Sequence, residues 1–129
     1  MGITFPITQE WAERFGREWI AAWNSHDLDR ICSYYAADIE FTSPFVTGLT
    51  GDPDGSVIRI AALRRYFHSA LEQFPALEFT YLFTCAGIRT ITVVYSSIHS
   101  LTAAETMELC GEGKVVRTFA QYSGNPRSV

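Results

Sequence analysis

Cysteine is scarce and scattered in this chain. Cys32, Cys85 and Cys110 are an odd number with no C-x-x-C spacing, which excludes a disulfide framework and a zinc-ribbon type of centre. They read as reduced, partly buried small apolar residues. Charge is also in short supply. Ten basic against 14 acidic residues leave a net −4 over 129 residues, without the basic excess that nucleic acid or an anionic membrane requires. No apolar run approaches the roughly 20 residues of a membrane-spanning helix. The opening Met1-Gly2-Ile3-Thr4-Phe5-Pro6 has neither the basic stretch nor the apolar core of a secretory signal, and Pro6 stands where a myristoylation signal prefers Ser or Thr. A cytoplasmic location is expected. Internal repeats, low-complexity tracts and Pro/Gly/Ser linkers are missing too, which leaves a single domain. A chain of this length buries about two-thirds of its unfolded surface and needs no metal or disulfide to fold.

Aromatic residues are abundant instead: nine Phe, six Tyr and three Trp make up 14% of the chain, a heavy load for one small core. Trp11, Phe15, Trp19 and Trp23 recur every four residues, which predicts an amphipathic helix capped by Thr8. A second, short helix is expected after Asp27, with Leu28, Ile31, Cys32 and Tyr35 on its apolar side. From Asp38 the period changes to two. Ile39, Phe41 and Ser43 share one face of a strand that Pro44 ends, Glu40 points outward, and Asp38 orders the turn into the strand. Thr47 to Gly55 is dense in turn residues and reads as the longest irregular segment. A third helix is expected from about Ser56 to Pro75, burying Ile60, Leu63, Phe67, Leu71 and Phe74, with Arg59, Arg64 and Arg65 on a solvated flank. Four strands follow: Leu77–Cys85, Thr90–Ser97, Glu105–Leu109 and Val115–Tyr122, the last two joined by a hairpin turn at Cys110–Lys114. Early helices and late consecutive strands give an α+β fold, with helices packed on one face of a curved sheet.

The run Trp23-Asn24-Ser25-His26-Asp27-Leu28-Asp29-Arg30-Ile31, then Tyr35-Ala36-Ala37-Asp38-Ile39-Glu40-Phe41, resembles the opening of the nuclear transport factor 2-like superfamily, in its SnoaL-like and ketosteroid-isomerase-like branches. Ala61 to Phe67 and the closing Gly111-Glu112-Gly113-Lys114-Val115-Val116 extend the likeness over about residues 8–123. The resemblance implies a cone, a cystatin-like α+β barrel: a bent antiparallel sheet around three helices, open at one end to an apolar pocket. It also implies a homodimer through the outer sheet face, which the surplus apolar positions of the 77–85 and 91–95 strands support. Function does not follow from the resemblance, because this fold hosts isomerases, cyclases, hydrolases, dehydratases and binding modules.

Ketosteroid-isomerase-like members place a general-base Asp before the Pro that ends the first strand. Here that position is Ser43, whose hydroxyl cannot take a proton from carbon at ordinary pH. Their oxyanion-stabilising phenol maps to Trp19, an indole donor, and their second donor carboxyl maps to Glu105. Steroid-type isomerisation by that machinery is therefore not expected.

Glu105 is the sharpest candidate catalytic residue. Alternation sets it beside Met107 and Leu109 on an apolar face, where desolvation would raise its pKa and suit it to acid–base work; the bland alternative is a solvent-facing carboxylate at the strand's start. His99, in step with Tyr95 and Ser97, is a weaker catalytic candidate at the pocket mouth. His26 reads as an exposed turn residue and His68 as a helix flank. No histidine spacing predicts a metal site and no glycine-flanked serine predicts a nucleophile elbow, so neither a metal nor a cofactor is expected. Trp19, Phe67, Tyr95 and Tyr122 are the expected lining of the pocket, with Ser43, Thr118 and Glu105 as its polar points. Three readings stay open: an isomerase, cyclase or lyase acting on a small apolar or aromatic metabolite, a non-catalytic ligand-binding module, and a dimeric interaction protein. The first predicts a cavity of a few hundred Å³ around Glu105.

Overall fold

The computed structural model describes residues 2–124. Its elements are α1 (Gln9–Ser25), α2 (Leu28–Cys32), β1 (Tyr35–Thr42), α3 (Pro44–Thr50), β2 (Ser56–Ile58), α4 (Ile60–Gln73), β3 (Thr80–Ala86), β4 (Thr90–Ser96), β5 (Thr102–Leu109) and β6 (Val115–Tyr122), with one 3-10 turn at Ile98–Ser100. The six strands form one curved, unclosed sheet in the order β2-β1-β6-β5-β4-β3. The expected α+β architecture holds, with two differences. There are four helices among the described residues rather than three. The sheet is also not antiparallel throughout, since β1 runs parallel to β6, Phe41 opposite Thr118.

Both new elements lie where sequence predicted a loop and a helix start. Ser43 caps α3, its hydroxyl accepting from the Phe45 N–H at 3.2 Å, and Pro44 takes the first helical position. The helix then closes on Gly51 in a left-handed conformation, φ 78°. Ser56–Ile58 pairs with Thr42–Glu40 as an edge strand, and Thr42 Oγ1 meets Ser56 Oγ at 3.1 Å. That pairing holds the segment extended, so α4 begins only at Ile60. Tyr35, expected on α2, starts β1 instead, because α2 ends at Cys32. Asp38 is consequently an exposed mid-strand residue and orders no turn.

The helix α1 is capped as expected, with Thr8 Oγ1 accepting from the Trp11 N–H at 3.1 Å. Its buried face is Ala12, Phe15, Gly16, Trp19, Ile20, Ala22 and Trp23. Gly16 lets the helix lie directly on β3: a Cβ there would sit 2.5 Å from Thr84 Oγ1. His26 ends the helix in a left-handed conformation, φ 58°, and its Nε2 lies 2.8 Å from the Leu77 carbonyl. It is half-buried and structural, not an exposed turn residue. The hairpin at Cys110–Lys114 forms as expected, closed by Cys110 N–H to Lys114 O at 2.9 Å and by Gly113 at φ 80°.

Strand alternation sends Ile91, Val93 and Tyr95 of β4 and Ala103, Glu105, Met107 and Leu109 of β5 to the concave side. Glu40 points outward, where Arg117 bridges it to Glu108. Arg59, Arg64 and Arg65 are exposed, and Arg64 pairs with Asp29. The cysteines are all free; Cys32 is buried, Cys110 half-buried and Cys85 exposed, so the last departs from expectation.

Candidate functional site

Among the described residues Glu105 is the one charged side chain that is buried, and it is 4% exposed. Its position follows from β5 alternation, with Val93 opposite on β4 and Ala120 opposite on β6. The Tyr95 hydroxyl donates to Glu105 Oε1 at 2.7 Å, and no cation pairs with the carboxyl among the described residues. Burial strips water from the carboxylate and pushes its pKa up to about 7, partly offset by the Tyr95 hydrogen bond. The carboxyl therefore divides between its two protonation states near neutral pH. Burial, and then the nearby Glu105 charge, hold the phenols of Tyr35, Tyr66, Tyr95 and Tyr122 above their ordinary range, so all four remain neutral donors.

Glu105, Tyr66, Tyr95 and Tyr122 line one cavity, and Tyr35 stands outside its lining. Its floor and walls are aromatic: Trp19 meets Tyr95 edge-on at 5.4 Å between centroids, Trp23 meets Phe67 at 4.7 Å, and Phe79 meets Tyr95 at 4.6 Å. The Trp19 indole N–H donates to the Tyr35 hydroxyl at 3.1 Å, so it is engaged within the wall and not free as a ligand donor. Over the mouth runs an arch of rings from four separate elements. Tyr122 of β6 meets Phe45 of α3 at 4.9 Å, Phe45 meets Phe74 at the end of α4 at 6.2 Å, and Phe74 meets His99 of the 3-10 turn at 6.1 Å.

Of the residues expected at the site, Trp19, Ser43, Phe67, Tyr95, Glu105 and Tyr122 all line this cavity. Thr118 does not. It is fully buried behind the wall with Oγ1 unpartnered, since alternation fixes a residue's face but not its depth along the sheet. His99 lies outside the cavity, exposed on the mouth. Trp23, Phe41, Phe45, Tyr66 and Phe74 line it without having been expected. The Ser43-Pro44 pair could have flagged Phe45, because it marks a helix start as well as a strand end.

The cavity volume is about 60 Å³, room for a few water-sized groups at roughly 10–15 Å³ each. The expectation of a few hundred Å³ is corrected: the large side chains that define the pocket also fill most of it. Among the described residues no group of three His, Cys, Asp or Glu side chains gathers as a metal site. No helix among them is long and apolar enough to cross a membrane.

A family model described as a SnoaL-like domain matches residues 16–121. The chain belongs to the SnoaL-like family. This SnoaL-like protein is 37% identical to a SnoaL-like protein of unknown function from Burkholderia thailandensis, with 92% of this chain and 99% of that one covered and a TM-score of 0.89. It also shares its fold with SalBIII, an epoxide hydrolase/cyclase-like enzyme of pyran ring formation in the polyether salinomycin (17% identity, 85% and 88% covered, TM-score 0.68). A protein of unknown function with a cystatin-like fold from Methylobium petroleophilum is similar at 14% identity, 92% and 80% coverage and TM-score 0.69. No curated protein matches the sequence. Membership of the SnoaL-like family agrees with the expected nuclear transport factor 2-like resemblance, and solved neighbours of this fold are of isomerase or cyclase type or of unknown function.

Proposed function

We propose that this SnoaL-like protein is an enzyme of acid–base chemistry on a small, largely apolar metabolite that carries an oxygen acceptor. Isomerase, cyclase and lyase reactions all fit that description. The carrying observation is Glu105: a carboxyl 4% exposed, facing an aromatic cavity, partnered by one phenol and no cation. A group with a pKa near the working pH is an efficient proton donor and acceptor. Protonated, Glu105 donates to an epoxide, carbonyl or hydroxyl oxygen of the ligand; ionised, it takes a proton from carbon or oxygen. Tyr95 holds the carboxyl in place in both states. Ser43 is engaged in capping α3 and supplies no base. The epoxide hydrolase/cyclase-like chemistry named for SalBIII is of this kind, which agrees with the reading at the level of fold.

The test is turnover of small enolisable ketones and epoxides, read as deuterium uptake in heavy water and as ring opening by mass spectrometry. Glu105→Gln should lower the rate at least about 100-fold, the lower end of what a positioned acid–base group contributes. Probes that bind but exchange no faster than in buffer would instead favour a non-catalytic binding module. The three free cysteines suit a reducing compartment, and we place the protein in the cytoplasm.

We also propose a homodimer through the convex sheet face. Phe83 pairs across to Val94, Val94 to Ala104, and Thr106, two residues on from Ala104, to Phe119. Phe83 and Phe119 thus share one face and are about half exposed. Light scattering at micromolar concentration should report two chains, and a monomer there would remove this proposal.

A further inference from the structure

A shallow groove of about 410 Å³ runs along the outside of the mouth, between the Gln73–Glu78 segment and the Ser97–His99 turn. Phe74, Leu77, Ser97 and Ile98 line both this groove and the Glu105 cavity, so a wall one side chain thick separates the two. The two banks are held very differently. On one, Asn24 grips Phe79 twice: its amide donates to the Phe79 carbonyl at 2.9 Å and its carbonyl accepts from the Phe79 N–H at 2.7 Å. His26 adds its contact to the Leu77 carbonyl. On the other, the turn is tied at its neck, Ser97 N–H to Leu101 O at 2.7 Å and Leu101 N–H to Ile98 O at 3.2 Å. Its tip, His99 and Ser100, consists of two consecutive non-glycine residues at φ 54° and 60°, a conformation disfavoured for side chains with a Cβ. His99 rests on the edge of Phe74.

We propose that this groove is the outer subsite of the Glu105 site, and that Phe74 and Ile98 are the gate between them. The inference rests on the acid–base reading above and deepens it by naming the shape of the substrate. A cavity of about 60 Å³ takes only the reacting end of a metabolite, whereas small-molecule sites commonly enclose several hundred Å³. The rest of the molecule then lies across Phe74, Leu77 and Ile98 and ends against Gln73, Glu78 and His99, the exposed hydrogen-bonding groups of the groove. The substrate class is an elongated, mainly apolar molecule with an oxygen at its narrow end and a polar group at the other. The turn carrying Ile98 and His99 is the bank that moves, because Leu77–Phe79 is fixed to α1.

Straight-chain methyl ketones of four to ten carbons test this, with binding followed by the fluorescence of Trp19 and Trp23. Each added methylene should tighten binding by up to about fourfold, the factor for full burial, and the gain should continue past the length the inner cavity holds. Ala76→Trp, at an exposed position on the groove, should weaken the ten-carbon ketone at least tenfold and leave the four-carbon one unchanged. Phe74→Ala should speed association of every member. Long-chain affinity untouched by Ala76→Trp, or affinity flat beyond four carbons, overturns the subsite while leaving the acid–base reading intact. Ketones that bind in a length-dependent way but exchange no deuterium overturn the acid–base reading and keep the subsite. Failure of every ketone to bind overturns the subsite.

Discussion

Trp19, Trp23, Phe67 and Tyr95 at the floor of the cavity and Phe45, Phe74 and His99 at its mouth are nearly all aromatic, yet they are held in opposite ways. The floor rings sit on α1, α4 and β4, two long helices and a strand paired on both sides in the sheet, and Trp19, Phe67 and Tyr95 are each 1% exposed. Two of them are tethered by hydrogen bonds, Trp19 to Tyr35 and Tyr95 to Glu105. The mouth rings sit on a seven-residue helix, the residue that ends α4 and a turn with two left-handed residues. None of their side chains hydrogen-bonds within the described residues, and each touches its neighbour by a ring edge. Rigid packing below and edge contacts above are what a site needs to keep its chemistry placed while its entrance opens.

The largest expected effect would break that contrast if it failed. Phe67 packs against Trp23, Tyr35 and Phe41 at 4.7, 5.5 and 5.3 Å. Phe67→Ala should cost about 3–5 kcal/mol, the range for a large ring removed from a close-packed core. Phe74→Ala removes a half-buried ring and should cost about 1 kcal/mol, a fraction of the full transfer value. Urea unfolding of both variants measures the difference directly. Equal losses would mean that the mouth is packed as tightly as the floor, and the gate would lose its mechanical basis.

The same contrast explains how much was legible from sequence. The four-residue spacing of Trp11, Phe15, Trp19 and Trp23 marks α1 without tertiary information, and the Glu105-Met107-Leu109 alternation turns the carboxyl inward correctly. Elements at the mouth were harder. Gly48 and two threonines make α3 look like a loop, and helix propensity there is overridden by the Ser43 cap and by contact of Phe45 with Tyr122. The edge strand β2 has only three residues, too few for a period to show. The parallel pairing of β1 with β6 joins segments far apart in the chain, which no local pattern encodes. Cavity volume depends on ring orientation, so the aromatic surplus announced a lined pocket but not that the lining nearly fills it.

A smaller effect sharpens the role of the floor. Glu105 has its folded pKa raised from 4.5 to about 7, so the native state binds more protons than the unfolded chain between those pH values. Stability then falls as pH rises through that window, and the whole penalty is present above it. A shift of that size corresponds to about 3 kcal/mol. Glu105→Gln keeps an oxygen that can accept from Tyr95 but cannot ionise. Its own absolute stability also reflects two amide hydrogens placed in an apolar wall, so the informative quantity is the wild-type minus variant difference at two pH values. That difference should move against the wild type by about 3 kcal/mol between pH 4.5 and pH 8 in urea unfolding. A difference that does not change with pH would mean that Glu105 is as well solvated when folded as when unfolded. The floor would then be wet and loose like the mouth, and the basis for acid–base chemistry at neutral pH would go with it.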